Sequence, residues 1–88
     1  MNSIPESTNP YRRAVVGRDR VKGYTIDTCY TSDCGWETAI WKGCSSLVIV
    51  EYYNSQEEAA EGHDKWCIIC SDEPKSFWDV DAREYVCV

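Results

Sequence analysis

Apolar residues recur at two different periods along this chain, and the change of period marks its elements. The stretch YTIDTCY (Tyr24–Tyr30) alternates, with Ile26, Thr28 and Tyr30 on one face and Asp27 and Cys29 on the other. That two-residue period predicts a half-buried strand. Ser32, Asp33 and Gly35 supply turn chemistry, and WETAIW (Trp36–Trp41) alternates again before a second turn at KGCSS. LVIVEYY (Leu47–Tyr53) is nearly all apolar and either β-branched or aromatic, as befits a central strand covered on at least one face. Connections this short favour an antiparallel meander of the three strands.

The period then lengthens. Ser55 and Glu58 form S-x-x-E, a capping-box signature. Glu57, Glu58 and Glu61 place negative charge near the positive end of the helix that follows. Ala59, His63, Trp66, Cys67 and Cys70 fall along one stripe at helical spacing. Gly62 weakens a helix interior by about 1 kcal/mol relative to alanine, so its presence predicts close packing against another backbone. Pro74 ends the segment, and SFWDV and EYVCV, separated by DAR, read as a last hairpin or as two short edge strands.

At the other end, residues 1–10 contain two prolines and several small polar residues and read as a mobile lead-in. The basic stretch YRRAVVGRDRVKG fits a short helix and an extended arm equally well. The expected fold is α+β: a three-stranded antiparallel meander packed against one amphipathic helix, with a short C-terminal β extension. A single domain over residues 23–88 follows a basic N-terminal arm, mobile or partly ordered, over residues 1–22.

A length of 88 residues is that of one small domain. With 43% hydrophobic and 12% aromatic residues the chain is globular in composition. It has no run near the roughly 18 apolar residues that span a bilayer, and its opening MNSIPESTNPYRR has no apolar core of a secretory signal. A cytoplasmic location with reduced thiols is the expectation. The net charge of -6 is unevenly spread. Residues 1–28 carry five Arg/Lys against three acids, and residues 51–88 carry ten Asp/Glu against three Lys/Arg. An acidic C-terminal half argues against ordinary nucleic-acid binding, which needs clustered positive charge. It suits solubility or docking onto a basic partner surface.

Candidate chemistry is sparse. Cys67 and Cys70 form C-x-x-C, but toward the C-terminal end of the predicted helix, where the dipole disfavours the thiolate a redox pair requires. Cys29-x4-Cys34 and Cys67-x2-Cys70 make two pairs from which a tetrahedral zinc site is conceivable, with His63 and Cys44 as extra donors. The competing reading is that these thiols are small buried hydrophobes. His63 is the only histidine and has no nucleophile in a recognisable motif to serve, so no catalytic residues are assigned and an enzyme is not expected. The aromatic residues exceed what so small a core easily hides, and two readings stand level: they fill the sheet–helix interface, or some lie on the surface as interface anchors. On the second reading Trp36, Trp41 and Trp78 are the candidate anchors, with Glu57, Glu58, Glu61 and Asp64 as the acidic contacts of a partner.

Two stretches, IDTCYTSDCGWETAIW and VIVEYYNSQEEAAEGHDKWC, carry a family likeness. The chain resembles small uncharacterised proteins of bacteriophages and prophages, in which a V/I-D-T strand leads to an ETAI strand. A V-E-x-Y strand then runs into a helix reading EEA-x-x-GH-x-x-W. Ile26–Thr28, Glu37–Ile40, Val50–Tyr53 and Glu57–Trp66 match that pattern, and residues 1–22 and 72–88 lie outside it. The resemblance implies a phage origin and a host bacterial cytoplasm, and it implies no reaction. The four cysteines above are outside the pattern, whereas Gly62 and His63 belong to it. This implies a tight helix–sheet contact with His63 hydrogen-bonding nearby.

The leading expectation is a non-enzymatic interaction protein that binds and modulates a host protein, such as a defence or nucleic-acid enzyme, in the manner of an anti-CRISPR inhibitor. A zinc-stabilised structural or virion-associated protein is the second reading. The third is nucleic-acid binding through the Arg12–Lys22 arm. Edge strands and exposed aromatics also allow a homodimer.

Overall fold

In the computed structural model of the protein, residues 14–88 are described, and the readings placed on residues 1–13, Arg12 and Arg13 among them, lie outside that range. Four strands, β1 (Ala14–Val21), β2 (Tyr24–Thr31), β3 (Gly35–Lys42) and β4 (Val48–Tyr53), precede the helix α1 (Gln56–Cys70), and β5 (Ser76–Asp79) and β6 (Glu84–Cys87) follow it. The first four form one antiparallel sheet in chain order, and β5 pairs with β6 in a separate hairpin. The α+β class and the single helix agree with the pattern of the chain. Among the described residues, no helix is long and apolar enough to cross a membrane.

The sheet has four strands where three were expected. The extra one is β1, drawn from residues 14–21 of the segment assigned to the N-terminal arm. Val21 pairs with Tyr24 across Lys22 and Gly23, which take φ values of 54° and 88°. Two successive positive φ values are what a two-residue hairpin turn with the native twist requires, and glycine meets that demand most easily. β1 adds beside β2, and β4, which has a central strand's composition, lies at the opposite edge of the sheet. The hairpin extends that edge through the Val80 amide, which donates to the Ile49 carbonyl at 2.8 Å.

The helix begins as its sequence predicts. Ser55 is the N-cap and its hydroxyl accepts from the Glu58 amide at 3.1 Å. Glu58 returns the contact one residue further out, accepting from the Asn54 amide at 3.1 Å. Beneath the C-terminal half of α1 lies the apolar core of Tyr24, Ile26, Ile40, Val48, Val50, Cys70 and Phe77, with Trp66 and Val86 packed against it. Tyr24 meets Phe77 edge to face with ring centres 5.8 Å apart, and its hydroxyl donates to the Pro74 carbonyl.

A bulge in β4 and the hairpin register of β1 set which side chains reach the helix. In β4 the register moves from Ala39–Ile49 to Thr38–Glu51, leaving Val50 as the extra residue. A bulge reverses the in–out alternation beyond it, so Val48, Glu51 and Tyr53 all lie opposite helix-facing positions of β3. In β1 the register runs unbroken from the Lys22–Gly23 turn and sets Val21, Asp19 and Gly17 opposite Tyr24, Ile26 and Thr28, with an irregularity only beyond Gly17.

Gly62 is tightly enclosed, but by a side chain rather than another backbone: a Cβ there would run into the Tyr53 ring. Gly62→Ala is expected to destabilise the protein by about 1–2 kcal/mol, because overpacking outweighs the gain of about 1 kcal/mol in helix propensity. Urea unfolding should show the lower midpoint. In a Tyr53→Ala background the same change should be neutral or stabilising.

Candidate functional site

Polar side chains fill the half of the sheet–helix interface that the apolar core leaves. His63, 5% exposed, enters from α1 and uses both ring nitrogens. Its Nε2 lies 2.7 Å from Asp19 Oδ2 on β1, and its Nδ1 lies 2.7 Å from Thr28 Oγ1 on β2. Thr28 Oγ1 is 2.6 Å from Thr38 Oγ1 on β3, which is 2.8 Å from the Tyr53 hydroxyl on β4. Beside Tyr53 on β4, Glu51 Oε1 accepts from Lys65 Nζ at 2.6 Å and Trp66 Nε1 at 2.8 Å. The hydrogen-bonded row thus crosses all four strands, and Glu51 ties β4 back to the helix. Among the described residues no buried side-chain nitrogen or oxygen lacks a partner.

Two glycines allow this closeness. Gly62 admits the Tyr53 ring, and a Cβ at Gly17 would stand 3.0 Å from His63 Nε2. Burial alone would raise the Glu51 carboxyl, but hydrogen bonds from Lys65 and Trp66 and the Lys65 charge hold it below the ordinary value. Burial, with Glu51 nearby, pushes the Tyr53 phenol up to about 12 despite the hydrogen bond from Thr38.

An acid, a histidine and a hydroxyl in a row have the outline of a hydrolytic triad. Thr28 is fully buried between sheet and helix, however, and no substrate reaches its oxygen. Cys67 is the other nucleophile close to His63. Desolvation, with Asp19 and Asp64 nearby, pushes its thiol up, and both ring nitrogens of His63 are already engaged.

The four cysteines considered for zinc do not come together. Cys29 is buried on the sheet face away from the helix, Cys34 is exposed in the β2–β3 turn, Cys67 is half-buried and Cys70 is buried in the apolar core. Burial beside Cys67 pushes the Cys70 thiol up to about 11, in the direction expected from its place near the helix C-terminus but with desolvation as the main cause. Cys44 is exposed. Among the described residues, the donors that do converge are Asp19, His63 and Cys67, all within 4.8 Å of one another.

The anticipated partner contacts divide in two. Glu57, Glu58, Glu61 and Asp64 are all exposed on α1. With Glu51, Lys65 and Tyr53, the residues Glu58 and Glu61 line an open cleft of about 300 Å³ between α1 and β4. Of the tryptophans, Trp78 is 46% exposed and pairs across the hairpin with Tyr85, 73% exposed, at a ring separation of 4.9 Å. Trp36 is half-buried against Tyr30, and Trp41 is half-buried with the Arg18 guanidinium 5.7 Å from its ring centre. Arg18 also pairs with Asp27 at 3.1 Å.

Sequence reasoning missed Asp19, Glu51, Tyr53 and Tyr85. Asp19 faces the helix through its hairpin pairing with Ile26 in a strand the pattern did not predict, and Glu51 and Tyr53 face it because of a bulge that no alternation pattern reveals. The hydrogen-bonded residues Thr28, Thr38, Tyr53 and His63, and Glu51 with Trp66, lie within the segments Ile26–Thr28, Glu37–Ile40, Val50–Tyr53 and Glu57–Trp66. Comparison of the chain with family models, with curated proteins and with solved structures finds no match.

Two outcomes are expected. Thr28→Val and Thr38→Val should each cost about 1–3 kcal/mol by orphaning buried neighbours, and the double variant should cost clearly less than the sum. Strict additivity in denaturant titrations would contradict a connected chain. In thiol labelling of the folded protein, Cys34, Cys44 and Cys87 should react first, while Cys29 and Cys70 should react only on unfolding. Cys34 should lag the other exposed thiols, since slight desolvation and the carboxylates of Asp33, Glu37 and Asp81 push its thiol up.

Proposed function

We propose that this protein is a small, non-enzymatic, phage-encoded interaction protein that docks an acidic helix face onto a basic surface of a host protein and modulates it. The observation that carries this reading is the outward face of α1, where Glu57, Glu58, Glu61 and Asp64 are all exposed. The basic residue among them, Lys65, is drawn aside to Glu51 at 2.6 Å. Glu57, Glu61 and Asp64 follow an i, i+4, i+7 stripe, so their carboxylates present one row to a partner.

A row of like charge on a rigid element steers an oppositely charged partner and raises the association rate, an effect that weakens as salt rises. Steering alone does not hold a complex together, and desolvated aromatics do so far better. The exposed Trp78–Tyr85 pair supplies that second component, with half-buried Trp36 and Trp41 less available. The host cytoplasm as the setting follows from the resemblance to phage proteins. Zinc through Cys29, Cys34, Cys67 and Cys70 lacks a comparable observation, because those thiols are dispersed. A basic arm reading is weakened at Arg18, which is paired with Asp27.

The test is affinity capture of the tagged protein from nuclease-treated bacterial lysate, followed by kinetics with the protein recovered. Replacing Glu57, Glu61 and Asp64 with lysine is expected to slow association about tenfold or more at low salt, with the protein still folded but less stable by about 1 kcal/mol through the loss of first-turn negative charge. Trp78→Ala should mainly shorten the lifetime of the complex. Binding that survives the charge reversal with the fold intact would sink the proposal.

A further inference from the structure

The convergence of Asp19, His63 and Cys67 is not needed by the docking proposal. Their donor atoms come from β1 and from two helix positions four residues apart, and lie within 4.8 Å of one another. We propose that these three residues form a binding site for a divalent transition-metal ion of the zinc class, distinct from any site built on the cysteine pairs.

The donor set selects the ion. A thiolate, an imidazole and a carboxylate together suit borderline-soft zinc, whereas calcium and magnesium require oxygen ligands throughout. Residues at i and i+4 project from the same helix face, the spacing by which a helix offers two ligands to one metal. His63 and Cys67 have that spacing. Asp19 approaches from the facing strand, so the three donors come from two separate elements.

Closing the site requires the His63–Asp19 pair to open and any donor pair near the 4.8 Å limit to draw in by up to about 1.3 Å. Zinc bonds of about 2.0 Å to nitrogen or oxygen and about 2.3 Å to sulfur put the donors of a tetrahedral site roughly 3.3–3.5 Å apart. His63 Nε2 and Asp19 Oδ2 are now 2.7 Å apart, joined by a hydrogen bond. The ion replaces that hydrogen bond, and the pair opens by somewhat more than half an ångström. Asp19 can supply the movement, since its side chain is 60% exposed while that of His63 is 6% exposed. The same exposure leaves a route from solvent and a fourth position for water.

The surroundings of His63 also match those of a metal ligand. Metal-bound imidazoles usually donate their other N–H to a fixed acceptor, which sets the tautomer and the ring plane. With Nε2 on the ion, Nδ1 carries the proton and donates to Thr28 Oγ1, 2.7 Å away. Thr28 then donates to Thr38 and Thr38 to Tyr53. Both threonine hydroxyls keep a donor and an acceptor role. Cys67 loses its thiol proton to solvent as the metal–sulfur bond forms.

Titration of the full chain with Co2+, followed by displacement with Zn2+, tests the site. One equivalent of Co2+ should bind with a near-ultraviolet thiolate-to-cobalt charge-transfer band and the intense visible bands of four-coordination. Replacing the exposed Cys34, Cys44 and Cys87 with serine should leave the spectrum intact. Cys67→Ser should abolish the charge-transfer band, and Asp19→Asn should weaken binding at least tenfold. Asp19 is mostly exposed, so its variant keeps the inference open to refutation even if Cys67→Ser disturbs folding. No saturable binding, a band that survives Cys67→Ser or disappears with the exposed thiols, or an unchanged affinity in Asp19→Asn would each overturn the proposal. Charge reversal at Glu57 and Glu61 leaves these donors in place, so this site and the docking face stand or fall separately.

Discussion

Buried hydroxyls and a buried imidazole cannot be left without partners, and that constraint fixes how the helix lies on the sheet. An orphaned group of this kind costs about 1–3 kcal/mol, a large share of the few kcal/mol that keep a small domain folded. Thr28 and Thr38 are fully buried and satisfied in one row that starts at His63 and ends at Tyr53. Sliding or rotating the helix would break that row at His63 and again where Trp66 and Lys65 reach Glu51. Hydrocarbon contacts elsewhere in the interface tolerate small shifts, but hydrogen bonds of 2.6–2.8 Å do not.

The interface is therefore built in two parts with different tasks. Under the C-terminal half of the helix, Ile26, Ile40, Val48, Cys70 and Phe77 remove apolar surface from water. Alongside, the polar row specifies register. Gly17 and Gly62 belong to this second part, because each lets a ring approach where a Cβ would intrude. The rotation that turns His63 inward also turns Glu57, Glu61 and Asp64 outward, since helical positions one to two residues off the buried stripe face solvent. The acidic face is thus a consequence of the polar row, and loss of the row would move the charges as well.

The thiols show how strongly environment separates chemically identical groups. Cys70 is a core residue with a thiol pushed up to about 11, while Cys34, Cys44 and Cys87 are exposed. Cys67 is the cysteine set beside a histidine and a carboxylate. Spacing in sequence suggested C-x-x-C as the unit of interest, yet the fold splits that pair and gives Cys67 different neighbours. A helix places residues i and i+3 on the same side but at different depths: Cys70 is buried in the core, and Cys67, packed at its margin, also lies near Asp19 and His63.

Local patterns were enough to define β2, β3, β4 and α1 close to their observed ends, along with the Ser55 cap and the inward stripe of Ala59, His63 and Cys70. Each depends on nearest neighbours in the chain: alternation, turn residues and capping chemistry. The exposed acids followed as the remainder of that stripe, and Gly62 announced a close contact. Three things were decided only by tertiary structure: a strand at residues 14–21, the side chain that fills the space at Gly62, and the meeting of Asp19 with His63 and Cys67. The physical reason lies in contacts between residues far apart in the chain. Hairpin pairing places Asp19 on the helix-facing side, and a single extra residue at Val50 turns Glu51 and Tyr53 inward without leaving a mark in the periodicity of the sequence.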